Sequence, residues 1–360
     1  MLRELATTDP LGVASLASPL DLGCPPSRQR LSLPDLRNAT AEAAFRQGRG
    51  FAFYQHLRKA GGTGFCDLAK RNLQQGEVPP YFCMPDRAGR LATPPLDETR
   101  ALVSAMADNG RATAWRVAAN EWDVFPIQMF DVYARSNAVF ATTLRDPVDR
   151  FYSQYRFEHL EHRDNTKASA ERKPFYAWYK SQLGWTMGAN YYVKTFLPVE
   201  QRTSDVDGWR KGDFYWTYHK YRRSKLTWQQ FEQAVDTLRR FDVLLVTEWL
   251  DHAAPHLQKT LGWESPPQRV RPHEDQAPRS GVSKSAKEGA DPEDFRKIQE
   301  ENWADVLLFE WARRVHAERL ACEASDDRLV KDVVEQDQVD KGERPEWAAK
   351  TGVGRKEAVH

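Results

Sequence analysis

Residues 51–73 read FAFYQHLRKAGGTGFCDLAKRNL. The apolar run FAFYQHL has the length and aromatic content of a buried strand. It empties into Lys59-Ala60-Gly61-Gly62-Thr63-Gly64, and a helical pattern follows at once, with Phe65, Leu68, Ala69 and Leu73 on one face. Three glycines between a strand and a helix let the chain turn tightly, so that successive N–H groups converge. The helix that follows presents its own unpaired donors and the positive end of its dipole. Lys59 and Thr63 supply charge and a hydroxyl. The segment therefore predicts an anion-binding loop; its alternative is a glycine turn serving only chain reversal. It is not a Walker A loop, because the lysine precedes the glycines and no Ser or Thr follows it to hold magnesium.

Outward from this point, strand-like and helical runs alternate: LDETRALVSAMADNG at 96–110, ATAWRVAA at 112–119, NAVFATTL at 137–144, PVDRFYSQYRFEHL at 147–160, FDVLLVT at 241–247 and ENWADVLLFEWARRVHAERL at 301–320. Such alternation predicts an α/β fold, a central parallel sheet flanked by helices in three layers. Residues 1–48 lack sustained periodicity and read as an irregular arm, 49–322 as the folded domain, and 323–360 as a charged tail. Residues 265–292, rich in Pro, Ser, Gly and charge, read as a long loop ahead of the last helix.

Composition limits the partners. The chain has 360 residues, 41% of them hydrophobic, and a formal charge of +1 from 52 Lys+Arg and 51 Asp+Glu. That balance gives no global field for nucleic acid, so any anion site is local. No signal peptide and no membrane span is read from the sequence. Of the four cysteines, Cys66 and Cys83 can pair across the first helix in an oxidising compartment or stand as separate thiols, and none has metal-ligand spacing with histidine. Asn38-Ala39-Thr40 is a formal glycosylation sequon.

A second strand-to-helix junction, VFATTLRDPVDRFYSQYRF at 139–157, carries Arg145-Asp146-Pro147. Asp146 suits the N-cap and Pro147 the first helical position. Arg145 then stands at the carboxyl end of a strand, where open α/β sheets bind ligands, and Ser153 lies two turns into the helix. The alternative is a capping salt bridge beside an exposed serine.

Taken together, the two motifs resemble those of the PAPS-dependent sulfotransferases, particularly the Golgi-type carbohydrate sulfotransferases. In that family Lys-Thr-Gly-Gly-Thr-Ser cradles the 5′-phosphosulfate; KAGGTG at 59–64 is similar, with Ala60 and Gly64 as departures. Gly64 removes a hydroxyl there. LRDPVDRFYS matches the family's 3′-phosphate motif, with Arg145 and Ser153 eight residues apart. The segments 241–263 and 301–315 look like the family's later strand-helix and final helix, so the resemblance spans about 50–318. It implies a P-loop-like fold, PAPS as sulfate donor, no required metal, and a hydroxyl acceptor, a glycan or other small molecule. The residues it places at the donor are Lys59, Ala60, Gly61, Gly62, Thr63, Gly64, Phe65, Arg145 and Ser153, with Lys284 in a basic loop beside Arg279 and Ser283. It also implies a Golgi lumen setting, although family members there carry a membrane anchor; a soluble cytoplasmic protein is the alternative.

Sulfuryl transfer needs a base for the acceptor's proton and positive charge at the leaving oxygen. Lys59 supplies the charge. Glu121, at the end of ATAWRVAANEWDVF, is the expected base, because Trp122 and its apolar neighbours can desolvate the carboxylate. Asp123 is the second choice, and a surface carboxylate the plain alternative. His159 and His162 can line the acceptor cleft or sit on a solvated helix face. GDFYWTYHKYRRSK at 212–225 interleaves aromatics with cations, as an acceptor groove or as core. Two other functions share the loop motif: a P-loop kinase or NTPase, which requires magnesium, and a non-catalytic nucleotide-binding module.

Overall fold

The computed structural model describes residues 36–84, 115–121, 138–162, 173–182, 188–197, 226–265 and 291–323, with Cys24, Leu31, Phe125 and Phe130 as isolated positions. The helical pattern at 96–110, Asp123, residues 212–225 and the loop containing Arg279, Ser283 and Lys284 lie outside them.

Four strands, β1 Phe51–Gln55, β2 Val117–Asn120, β3 Ala138–Leu144 and β4 Val243–Val246, form a wholly parallel sheet in the order β2-β1-β3-β4. The α/β reading is therefore borne out. Every residue of these strands is buried, as parallel strands covered on both faces must be. Alternate positions feed two separate cores. Phe53 and Phe140 join Phe125, Phe196 and Phe241 on one face, while Tyr54, Val139 and Leu245 join Phe65 and Leu257 on the other.

The helices follow in chain order as α1 Ala39–Arg46, α2 Gly62–Asn72, α3 Pro147–Tyr155, α4 Phe175–Gln182, α5 Tyr191–Thr195, α6 Trp228–Arg239, α7 Ala254–Leu261, α8 Pro292–Glu301 and α9 Trp303–Glu323. Within the arm expected to be irregular, α1 is helical and buries Ala41, Ala44 and Phe45. Its cap is Asn38, whose side chain accepts from the Ala41 N–H at 3.0 Å. The sequon asparagine thus has a structural role. α9 lies against β4, where His316 Nδ1 meets the Leu244 carbonyl at 3.0 Å and Arg319 donates to the carbonyls of Phe241 and Asp242.

Cys66 pairs with Cys83, and Cys24 pairs with Cys322. The second bridge, unanticipated from sequence, joins the N-terminal arm to the end of α9 across 298 residues. Among the described residues, no helix is long and apolar enough to cross a membrane.

Candidate functional site

All four strands point their carboxyl ends the same way, and the conspicuous residues gather there. After Gln55 the chain bends through a turn in which the Ala60 N–H donates to the Leu57 carbonyl at 3.1 Å. Lys59 and Gly61 adopt left-handed backbone at φ 62° and 86°. For lysine this conformation carries strain of about 1–3 kcal/mol, held by the surrounding loop. Gly61 is also closely packed: a Cβ there would approach Thr247 Oγ1 to 3.1 Å, so the hydroxyl would have to give by a few tenths of an ångström. That hydroxyl lies 3.1 Å from the Ala60 carbonyl and 3.0 Å from the Leu144 carbonyl, tying the loop to the ends of β3 and β4.

Gly62 opens α2, and no side chain caps this terminus. A Cβ on Gly62 would fall 1.8 Å from His56 Cδ2, so the imidazole occupies the space a side chain would need. From sequence the glycines serve a tight turn that converges N–H groups on an anion, or chain reversal alone. The ring of His56 is a further reason for Gly62, set by a contact that the sequence does not show.

Of the residues expected at the loop, Thr63 is half-buried and Gly64 buried. Phe65 has a packing role: its ring stacks on Tyr54 at 3.9 Å with 8° between planes, and its N–H donates to the Gly61 carbonyl at 3.1 Å. Lys59 Nζ rests over the Phe157 ring, 3.4 Å from its centroid.

The second motif stands directly beside the first. Asp146 caps α3, accepting from the N–H groups of Val148 at 2.9 Å and Asp149 at 3.1 Å, with Pro147 first in the helix. Glu248 anchors the cap from β4's side by accepting from the Asp146 N–H at 2.9 Å. Arg145 extends from this turn to the glycine loop, where its Nη1 donates to the Lys59 carbonyl at 3.4 Å; the Tyr192 hydroxyl donates to the Arg145 carbonyl at 3.0 Å. Along α3, Arg150, Phe151, Gln154 and Tyr155 are buried while Asp149, Tyr152, Ser153 and Arg156 are not. Ser153 therefore lies on the open stripe of α3. Arg150 is fully buried, 4.0 Å from the Phe151 centroid and donating to Gln154 Oε1 at 3.0 Å.

No protein-family model matches this chain, and the curated proteins contain no match to it. The site must be read from its own geometry.

α3 runs into a π-helical turn, Arg156–His162, of a kind that recurs at functional sites. It positions the residues that hold the loop's two cations: Phe157 lies under Lys59, and Glu158 pairs with Arg58 at 2.6 Å. His159 is buried with its Nε2 accepting from the Lys173 N–H at 2.9 Å and its ring between Tyr155 and Trp178. That placement gives it to the packing of α3 and α4.

Glu121 follows β2, partly exposed, near enough for its charge to act on the His56 imidazole. The strands are in register at Gln55 and Asn120, whose side chains hydrogen-bond at 3.2 Å, and the ladder continues one step with the His56 N–H donating to the Asn120 carbonyl at 2.9 Å. His56 and Glu121 are the next residues along the two chains, one step beyond this last pair. Neighbouring parallel strands lie roughly 4.8 Å apart and project paired side chains to the same face.

The described residues thus assemble an uncapped helix terminus, a glycine cradle without room for a Cβ, two cations and a carboxylate at one edge of the sheet. Among them, no cluster of three or more histidine, cysteine or acidic side chains has the geometry of a metal site.

Proposed function

We propose that this protein is a sulfotransferase that transfers the sulfuryl group of PAPS to a hydroxyl acceptor, a carbohydrate, on a P-loop-like sheet. The observation that carries this reading is the direct contact of the two motifs: Arg145 reaches the Lys59 carbonyl at 3.4 Å. Two cation-bearing turns, each leading into a helix N-terminus, suit a nucleotide phosphorylated at both its 5′ and 3′ positions.

Bound PAPS supplies an activated sulfuryl group. The loop from Ala60 to Gly64 offers its N–H groups and the α2 dipole to the 5′ end; Arg145 and Ser153 receive the 3′-phosphate. Lys59 leaves the Phe157 ring, a contact worth about 0.5–2 kcal/mol, to neutralise the oxygen on which charge develops. Glu121 takes the proton of the acceptor hydroxyl as its oxygen bonds to sulfur and the bond from sulfur to the phosphate oxygen breaks. Magnesium is not required, since a monoanionic group moves. Two disulfides accord with an oxidising setting such as a secretory lumen.

The test is thermal-shift titration with PAP and ATP, followed by transfer of labelled sulfate from PAPS to a panel of glycans. PAP at about 100 times its dissociation constant should stabilise by roughly 2.7 kcal/mol and ATP by much less. Equal shifts with ATP, or a magnesium-dependent ATPase activity, would replace this reading with a P-loop kinase or NTPase. PAP binding without transfer to any acceptor would make the protein a nucleotide-binding module.

A further inference from the structure

The imidazole of His56 is buried, 6% exposed, and its Nδ1 has no hydrogen-bond partner. A buried polar atom left unpaired costs roughly 1–3 kcal/mol, so it marks a role not satisfied by packing. The ring fills the side-chain space of Gly62 at the head of α2. His56 follows β1 as Glu121 follows β2, one step past the Gln55–Asn120 pair, and its N–H donates to the Asn120 carbonyl at 2.9 Å. Among the described residues, the charged and titratable groups around it are Glu121 just after β2, Arg58 and Lys59 from the loop, and Tyr54 from β1, whose ring lies 5.8 Å away. α2 contributes no acidic residue in its first turn.

Resting on the sulfotransferase reading, we infer that His56 is a positioning residue: it takes up one proton from solvent when the phosphate end of the nucleotide enters the Lys59–Gly64 loop, and then holds the Glu121 carboxylate toward the acceptor. In the ligand-free protein burial keeps the imidazole below its ordinary range; Glu121 opposes this, and Arg58 and Lys59 reinforce it. His56 is thus neutral near pH 7. A phosphate arriving at the loop reverses the balance, since a negative charge within about 4–6 Å favours the charged imidazole by roughly 1–3 pH units. Binding and protonation are then linked. An imidazolium donates from both ring nitrogens, so Nδ1 acquires a function exactly when the nucleotide is present.

The measurement is calorimetry of PAP binding at pH 6.5 to 7.5 in buffers of different ionisation enthalpy, on the full chain. The wild-type protein should show net proton uptake on binding PAP, read as a dependence of the observed enthalpy on the buffer's ionisation enthalpy, because a neighbouring anion favours the charged imidazole. H56Q should bind PAP with uptake reduced to near zero, a readout that a purely structural role would leave unchanged. E121Q, which removes the carboxylate partner, should retain PAP binding but move the uptake to lower pH. Undiminished uptake in H56Q, or none in the wild type, would overturn the inference while leaving the nucleotide site standing. Absence of PAP binding by the wild-type protein would overturn both.

Discussion

Glu248 offers a test of how the second motif is built. Its Oε1 accepts from the Asp146 N–H at 2.9 Å, and its Oε2 is shielded from solvent. Burial pushes the carboxyl from 4.5 up to about 7, against the opposing pull of the Asp146 N–H and the Arg145 guanidinium. The folded protein therefore binds this proton more tightly than the unfolded chain, and stability falls as pH rises from 4.5 towards 7. A shift of about 2.5 units at about 1.36 kcal/mol each is about 3.4 kcal/mol in total, of which about 2.5 kcal/mol falls between pH 5 and pH 8. Because the residue as a whole is only partly buried, solvent screening reduces the expectation to about 1–2 kcal/mol. Glu248→Gln keeps the acceptor for Asp146 and removes the titration. Urea denaturation of both proteins at pH 5 and pH 8 should show the variant gaining that amount relative to wild type at the higher pH. An unchanged difference at the two pH values would refute the claim that an ionised Glu248 is a liability of the Asp146 turn.

Arg145→Ala should weaken PAP binding by roughly 1.5–3 kcal/mol, the worth of a hydrogen bond to a charged group, and change ATP binding little; isothermal titration with both nucleotides checks it. Gly62→Ala should destabilise by about 1–3 kcal/mol through overpacking against the His56 ring, and His56→Ala in that background should restore part of the loss, as a double-mutant denaturation cycle would show. Cys322→Ser should cost about 2–4 kcal/mol of stability in chemical denaturation, because the bridge to Cys24 closes a loop of 298 residues in the unfolded chain.

The strands were legible in the sequence because a parallel strand buried on both faces reads as an apolar run, and β1, β3 and β4 sit inside the segments expected. The turn chemistry was legible for the same local reason: glycine at a positive φ, and Asp-Pro at a helix start, depend on near neighbours only. The pairing of β1 with β2, which puts His56 and Glu121 at neighbouring strand ends, was not legible, since strand order and pairing arise from contacts between segments some 60 residues apart. Phe65 was legible as part of the apolar face it shares with Leu68, Ala69 and Leu73, but its stacking partner Tyr54 was not, because that contact is made between the helix and the sheet. Helix α1 escaped notice because ATAEAAFR has too few large apolar residues to show a period, yet the sheet edge and α7 give Phe45 a place to bury. The amino-acid sequence by itself determined the alternation of strands and helices and the two cation-bearing turns, all properties of short stretches of chain. Only the tertiary structure decided which ends of which strands lie together, brought Arg145 to the Lys59 carbonyl and joined Cys24 to Cys322, because those juxtapositions are made by packing across the sheet.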